Sequence, residues 1–359
     1  MRIVIVGGTG NIGTALVRQL VARSSQDEIH VVARRRPADG DAFPPGVESH
    51  ALDLNDDDLR PLMSEADAVV HLGWLFQPSH RPDVTWHNNV VGTRRLLASL
   101  RPGRASTVVV ASSIAAYSPV ARHESVDESW STDGASSAAY CREKAYVERL
   151  LDVVEHDDHD LRVVRMRPAF VFLRQAAPAQ RRLFMGPLVP GSLMRANLAP
   201  MLPVPRGLQL QAIHADDVAA AMAQALHLDV TGAFNLAADE PLTGADLAAM
   251  CEARHVPVPP RLVRAAVAAG WCSHLIPAPP RLFDALMSLP TMDTTRARNE
   301  LQWSPEVSAR DALRAFVAGL RSDEGGATPP LARDAGGRGR WREVLSGVGE
   351  RGRGSLTWR

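Results

Sequence analysis

Lysine is almost absent. Lys144 is the single lysine among 359 residues, although Lys and Arg together number 40, so the rest of that set are arginines. Cysteine is scarce as well: Cys141, Cys251 and Cys272 stand far apart with no Cys-x-x-Cys or Cys/His spacing. That excludes a disulfide framework or a zinc site and leaves thiols packed as small apolar groups. Net charge is missing, because 40 acidic residues balance the 40 basic ones. The balance gives no electrostatic reason to expect nucleic acid or an anionic membrane surface as a partner. Long apolar runs are missing too. Nothing approaches the ~18 uninterrupted apolar residues of a membrane span, and "MRIVIVGGTG" turns to glycine too soon for a signal-peptide core, so a cytoplasmic protein is expected.

What is present is a rhythm. β-branched runs such as "RIVIVGG", "EIHVVAR" and "STVVVASS" alternate with amphipathic stretches such as "NIGTALVRQLVAR" and "NVVGTRRLLASL". Strands spaced by helices predict βαβ units, hence an α/β fold around a parallel sheet buried on both faces. This pattern fills residues 1–171, and strand-like segments of about 212–240 return to the same sheet. Residues 172–211 break the rhythm with Pro178, Pro187, Pro190, Pro200, Pro203 and Pro205, as a loop-rich segment lying over a site would. A helical pattern over 241–321 completes a substrate-binding part. The Gly- and Arg-rich residues 322–359 read as a solvated, flexible tail.

"VIVGGTGNIGTALV" sets glycines at 7, 8, 10 and 13 between a strand and a helix. Gly7 and Gly10 suit a tight turn and the close approach of a pyrophosphate to backbone. Gly13 lets helix and strand pack, and Asn11 and Ile12 open the helix whose N-terminus would receive the phosphates. An NAD site usually carries an acid at the end of the second strand. Here Ala33 stands there, followed by Arg34, Arg35 and Arg36. A guanidinium can grip a 2′-phosphate that a carboxylate would repel, so NADP(H) is favoured over NAD(H). Asp53, in "HALDLNDDDL", is placed either to accept from the adenine amino group or to cap a helix.

Tyr140 and Lys144 are four apart on one helix and share a face. A phenol is a poor acid or base at neutral pH, and a fixed ammonium nearby is expected to lower its pKa. Lysine's compact head also reaches a ribose hydroxyl, a task for which arginine's planar fork is less suited. Upstream, "VVVASSIAAY" ends a strand on Ser112 and Ser113. Serines there look into the crevice where such sheets bind ligands, and Ser113 is the candidate for holding a substrate oxygen.

With "GGTGNIG", "ALDL", "VVHLG", "NNVVGT", "VVVASSIAAY", "YCREK", "RMRPAFVF", "QAIHADDVAAA" and "DTTRARNELQWSP" in this order, the chain resembles the extended short-chain dehydrogenase/reductases of the NAD-dependent epimerase/dehydratase family over about residues 1–321. The resemblance implies a Rossmann-type doubly wound parallel sheet with a smaller, mostly helical C-terminal substrate-binding part. It implies that Gly7, Gly10 and Gly13 bind the cofactor diphosphate, that Asp53 and Leu54 flank the adenine, and that Leu72 and Gly73 line the nicotinamide ribose. Pro168 would pack on the nicotinamide, and Ser113, Tyr140 and Lys144 would be the catalytic set. Asn89 matches an asparagine usual at that helix start, and His214, Asp216 and Asp217 match a motif read as holding the substrate loop to the core, not a metal. The chain departs from the family at Val6, often Thr, and after "RPAFVF", where Tyr-Gly-Pro is missing. Ile114 and Ala115 replace the acidic pair of sugar-nucleotide dehydratases, which argues against dehydration.

The expected function is an oxidoreductase or epimerase acting on a secondary alcohol or ketone of a small molecule. A nucleotide-sugar epimerase with tightly held NAD and a non-catalytic NAD(P)-binding regulatory protein are the alternatives. The aromatic residues of "WLFQPSHRPDVTWH" favour an apolar substrate. No nucleic-acid or membrane partner is expected, and a homodimer is left open.

Overall fold

Seven parallel strands form the centre of the molecule: β1 (Arg2–Val6), β2 (Glu28–Ala33), β3 (Val47–Ala51), β4 (Ala68–His71), β5 (Thr107–Ala111), β6 (Arg162–Pro168) and β7 (Gly232–Leu236). They lie in the order β3-β2-β1-β4-β5-β6-β7, every neighbouring pair parallel. The structure, a computed structural model, describes residues 1–24, 26–37, 42–77, 79–100, 105–121, 124–185, 200–322 and 324–333. Side chains alternate across the sheet as the period of two requires. Ile3, Ile5, Val109 and Val164 enter one core layer, and Val4, Val6, Val69 and Val108 enter the other. Helices α1 (Asn11–Arg23) and α3 (Ala215–His227) cover the first layer through Leu16, Leu20 and Met222. Helix α2 (Ala139–Asp157) covers the second through Val147 and Leu151.

This is the Rossmann-type doubly wound sheet, and β7 is the returning strand expected from 212–240. The strand order reverses between β1 and β4, so the carboxyl ends of these two strands open the crevice where ligands of such sheets bind. The C-terminal part carries helices Gly244–Met250, Pro260–Cys272, Pro280–Leu286 and Ala309–Ser322. It is not purely helical: Arg254–Val258 pairs in parallel with Met201–Pro205. The segment expected to be loop-rich also contains helix Ala177–Met185. Its prolines Pro187 and Pro190 lie outside the described residues.

His214 and Asp217 serve the C-terminal part. The His214 ring accepts from Asp216 N and caps α3. The Asp217 carboxylate accepts from Glu306 N at 2.9 Å and Val307 N at 3.2 Å, and its carbonyl accepts from Trp303 Nε1. Asp217 therefore anchors the "WSPEV" turn, where the sequence suggested the 172–211 segment.

The expected tail needs a correction as well. Helix Ala309–Ser322 runs to residue 322, and residues 324–333 pack onto the core: Leu331 is buried, and the buried Thr328 donates its hydroxyl to Thr9 O at 2.7 Å. A long-range contact of this kind leaves no periodicity to read. Residues 334–359 lie outside the described residues. Truncation after residue 322 is therefore expected to lower the melting temperature by several degrees, because a buried leucine and a buried hydrogen bond are lost. An unchanged melting curve would show that the contact contributes nothing.

Candidate active site

The glycine loop is built by close approach of backbones. Gly7 has φ +85°, and a Cβ there would stand 2.6 Å from Gly73 N, so the segments that follow β1 and β4 approach this closely only with glycine at position 7. A Cβ on Gly13 would lie 2.5 Å from Gly8 Cα, which fixes the packing of α1 on the loop. Gly10 is the N-cap of α1 and has no side-chain cap. No acid stands in the first turn, and Asn11 Oδ1 turns back to accept from Ile12 N at 2.8 Å. An uncapped helix N-terminus beside a glycine cradle fits an anion such as a dinucleotide diphosphate.

At the adjoining strand ends, Leu72 N donates to Val6 O, and Leu54 is buried where a Cβ on Gly73 or Gly92 would touch it. Asp53 Oδ1 accepts from Asn55 N at 2.9 Å, so this carboxylate closes the turn after β3, and its charge acts on the exposed Arg34 guanidinium. Arg34 follows β2 directly. Pro168 ends β6, paired with Leu236.

Tyr140 opens α2 beside Ser113, whose oxygen accepts from Ala115 N at 3.1 Å to cap the short helix Ile114–Ala116. Phe76 stacks on the Tyr140 ring with centroids 4.6 Å apart, and Trp74 meets it edge-on at 5.9 Å. Burial raises the pKa of this phenol, and Ser113 beside it offsets only part of the effect. The lowered Tyr140 pKa expected from sequence is thus not what the structure has. Lys144 is itself 4% exposed; its Nζ donates to Ala111 O at 2.7 Å and lies 3.5 Å from the Trp74 ring centroid. Burial brings its pKa down to about 7 against the pull of Glu148 and Glu143.

Glu143 and Asn89 set the aromatic loop. The helix over Pro82–Trp86 and Gly92–Ser99 contains a π turn at His87–Val91, a device that re-aims side chains at functional sites. It turns the buried Asn89 so that Oδ1 accepts from Leu75 N at 2.7 Å while Nδ2 donates to Leu75 O at 2.8 Å and to Glu143 Oε2 at 2.7 Å. Thr85 Oγ1 donates to Glu143 Oε1 at 2.6 Å. This chain of contacts holds Trp74 and Phe76 against Tyr140 and Lys144.

Below the serines, Glu148 is fully buried. It accepts from Ser112 Oγ at 2.5 Å, Arg167 Nε at 2.9 Å and Arg165 NH1 at 3.1 Å. His71, at the end of β4, is buried too. Thr93 Oγ1 donates to Asn89 O, so it must accept from His71 Nε2–H at 2.8 Å, leaving the buried Nδ1 with a free lone pair. Burial, with Lys144 adding to it, holds the His71 pKa down at about 3, below its ordinary 6.5. A depressed folded-state value means that stability present above pH 6.5 is lost as pH falls toward 3. Chemical denaturation should show a loss of about 2 kcal/mol from this group between pH 6.5 and about 5. His71→Asn should remove that part of the slope, and an unchanged slope would contradict it.

A second cluster lies on β2 and β3, where His30 Nδ1 is 3.0 Å from His50 Nε2 and 3.4 Å from Glu48 Oε2. Arg2 Nε donates to His30 Nε2 at 3.1 Å, so the His30 proton sits on Nδ1 and is given to His50. The lone pair that a cation would need on His30 Nδ1 is already used.

The family model described as the NAD dependent epimerase/dehydratase family matches residues 3–237. The chain belongs to that family. An uncharacterised protein of Mycobacterium tuberculosis is 26% identical over 325 residues, which span 89% of this chain but 30% of that relative. The decarboxylating sterol-4-alpha-carboxylate 3-dehydrogenase of Saccharomyces cerevisiae is 27% identical over 194 residues, 51% of this chain and 54% of that one. Among solved structures, the UDP-glucose-4-epimerase of Stenotrophomonas maltophila, with NAD and formylated UDP-arabinopyranose bound, superposes with a TM-score of 0.69. It is 20% identical and covers 90% of this chain and 98% of its own. Among the described residues, no helix is long and apolar enough to cross a membrane.

The structure thus brings Gly7, Gly10, Leu72 and Gly73 together at the carboxyl ends of β1 and β4, with Ser113, Tyr140 and Lys144 near them. Glu143 and Glu148 went unread in the sequence. Both lie on the helix of Tyr140 and Lys144 at spacings of three to eight from Tyr140, which was the available signal.

Proposed function

We propose that the chain is an NADP(H)-favouring oxidoreductase that reduces a ketone of a small molecule to a secondary alcohol, or runs the reverse reaction. The observation that carries this reading is Tyr140 beside Ser113 at the start of α2, with the buried Lys144 one turn further along the same helix. When bound, the nicotinamide supplies the hydride. Gly7, Gly10, Gly13, Asn11 and Ile12 would hold its diphosphate at the N-terminus of α1, Leu54 and Asp53 would border the adenine, and Leu72, Gly73 and Pro168 would border the nicotinamide end.

Ser113 orients and polarises the substrate oxygen. Tyr140, kept protonated at neutral pH by burial, gives that oxygen its proton. Lys144, whose ammonium is held by Ala111 O, would hold a ribose hydroxyl of the cofactor. A protonated phenol supplies the acid that the reductive direction requires. The test is to screen ketones, secondary alcohols and nucleotide sugars for a change in nicotinamide absorbance. Epimerised product without net change in absorbance would instead support an epimerase.

The preference for NADP(H) rests on Ala33 and Arg34. Arg34→Ala is expected to weaken NADPH binding by about 10- to 100-fold and leave NADH nearly unaffected, as loss of a charge-assisted phosphate contact would. Equal affinities of the unaltered protein for the two cofactors, measured by titration, would contradict it.

A further inference from the structure

We infer that the cleft beside Tyr140 takes a neutral, ring-bearing ketone or alcohol and turns away anionic substrates, nucleoside diphosphate sugars included, with Glu143 as the residue that sets this charge selection. The inference rests on the oxidoreductase reading above and names its substrate class. The cleft is walled by Leu75, Phe76, Phe184, Pro279 and Leu282 around Tyr140. Among its described lining residues Glu143 is the one carboxylate, and none is an arginine or lysine.

Glu143 is 2% exposed, and both of its oxygens receive donors, from Thr85 and Asn89. Burial pushes its pKa up, while these two hydrogen bonds and the neighbouring Arg142 and Lys144 favour the charged form. A diphosphate brought into such a wall would meet a like charge and no cationic side chain among the described lining residues, and like-charge juxtaposition is an effective means of rejecting a ligand. The aromatic side offers the opposite. Phe76 lies nearly parallel to the Tyr140 ring, and Phe184 stands edge-on to Phe76 with centroids 5.5 Å apart, leaving ring faces and edges suited to a flat or alicyclic ring next to the reacting carbonyl.

The test is calorimetric binding to the full chain with the oxidised cofactor present, a combination in which a ketone cannot react. The probes are tetralone, a tetralone bearing a ring carboxylate, and UDP-glucose. Tetralone should bind, the carboxylated ring at least about tenfold more weakly, and UDP-glucose more weakly still; Glu143→Gln should narrow the gap between the two tetralones by about tenfold. Carboxylated tetralone or UDP-glucose binding the unaltered protein as tightly as tetralone would overturn the inference. So would an unchanged gap in a folded Glu143→Gln protein. Should that variant not fold, the three probes on the unaltered chain still decide the charge selection. Turnover of tetralone by Tyr140→Phe at the unaltered rate would instead overturn the oxidoreductase reading, and the charge selection would stand on the binding data alone.

Discussion

Tyr140→Phe is expected to lower turnover by about 10²- to 10⁴-fold while cofactor affinity stays within a few-fold, the cost of removing a general acid and nothing else. The substitution keeps the ring that stacks on Phe76 and removes only the hydroxyl beside Ser113. Lys144 should respond differently. Lys144→Ala removes an ammonium bonded to Ala111 O and covered by Trp74, so both turnover and cofactor affinity should fall. Lys144→Arg should not rescue either, because a planar fork does not fit a site that leaves 4% of the lysine exposed. Steady-state rates together with cofactor titration separate these outcomes. A Tyr140→Phe protein with full activity would remove the phenol from the mechanism.

Glu148→Ala should be the most destabilising single change at the site, at about 3–5 kcal/mol. The carboxylate is fully buried between two nearly buried guanidiniums, Arg165 and Arg167, and its loss leaves both charges without their shared partner. Burial by itself would raise the Glu148 pKa. The Arg167 hydrogen bonds and charge, with Ser112 and Arg165, outweigh it and bring the value to about 2. The contribution is therefore present above its ordinary 4.5 and lost as pH falls toward 2. Because Ser112 is bonded to Glu148 and precedes Ser113, the same variant should also reduce turnover in whatever fraction stays folded. Denaturation midpoints of Glu148→Ala and Glu148→Gln against the unaltered protein measure the effect, and a difference under about 1 kcal/mol for Glu148→Ala would refute the account of the network.

The alternation of strands and helices along the chain and the glycine loop were legible in the sequence because each is local. β-branched runs report strands, and Gly7, Gly10 and Gly13 stand where a strand meets a helix. The pairing of Tyr140 with Lys144 was legible for the same reason, since a helix brings positions four apart to one face. What could not be read depends on contacts distant in sequence. Glu143 and Glu148 look like solvated helix acids until Thr85, Asn89, Ser112, Arg165 and Arg167 are brought around them. The docking of residues 324–333 hangs on Thr328 reaching Thr9, more than 300 residues away. The lowered Tyr140 pKa was expected from the spacing alone, and burial beneath Phe76 and Trp74 reverses its sign.

The reaction can be followed by one label. With NADPH carrying deuterium at the transferable position of the nicotinamide and a ketone that the unaltered protein reduces, mass spectrometry of the alcohol should find one deuterium on the carbinol carbon. NADP should accumulate in equal amount, and Tyr140→Phe should form almost none of either product. An alcohol without deuterium, or an epimerised product with no NADPH consumed, would contradict the central claim that this site carries out net hydride transfer to a carbonyl.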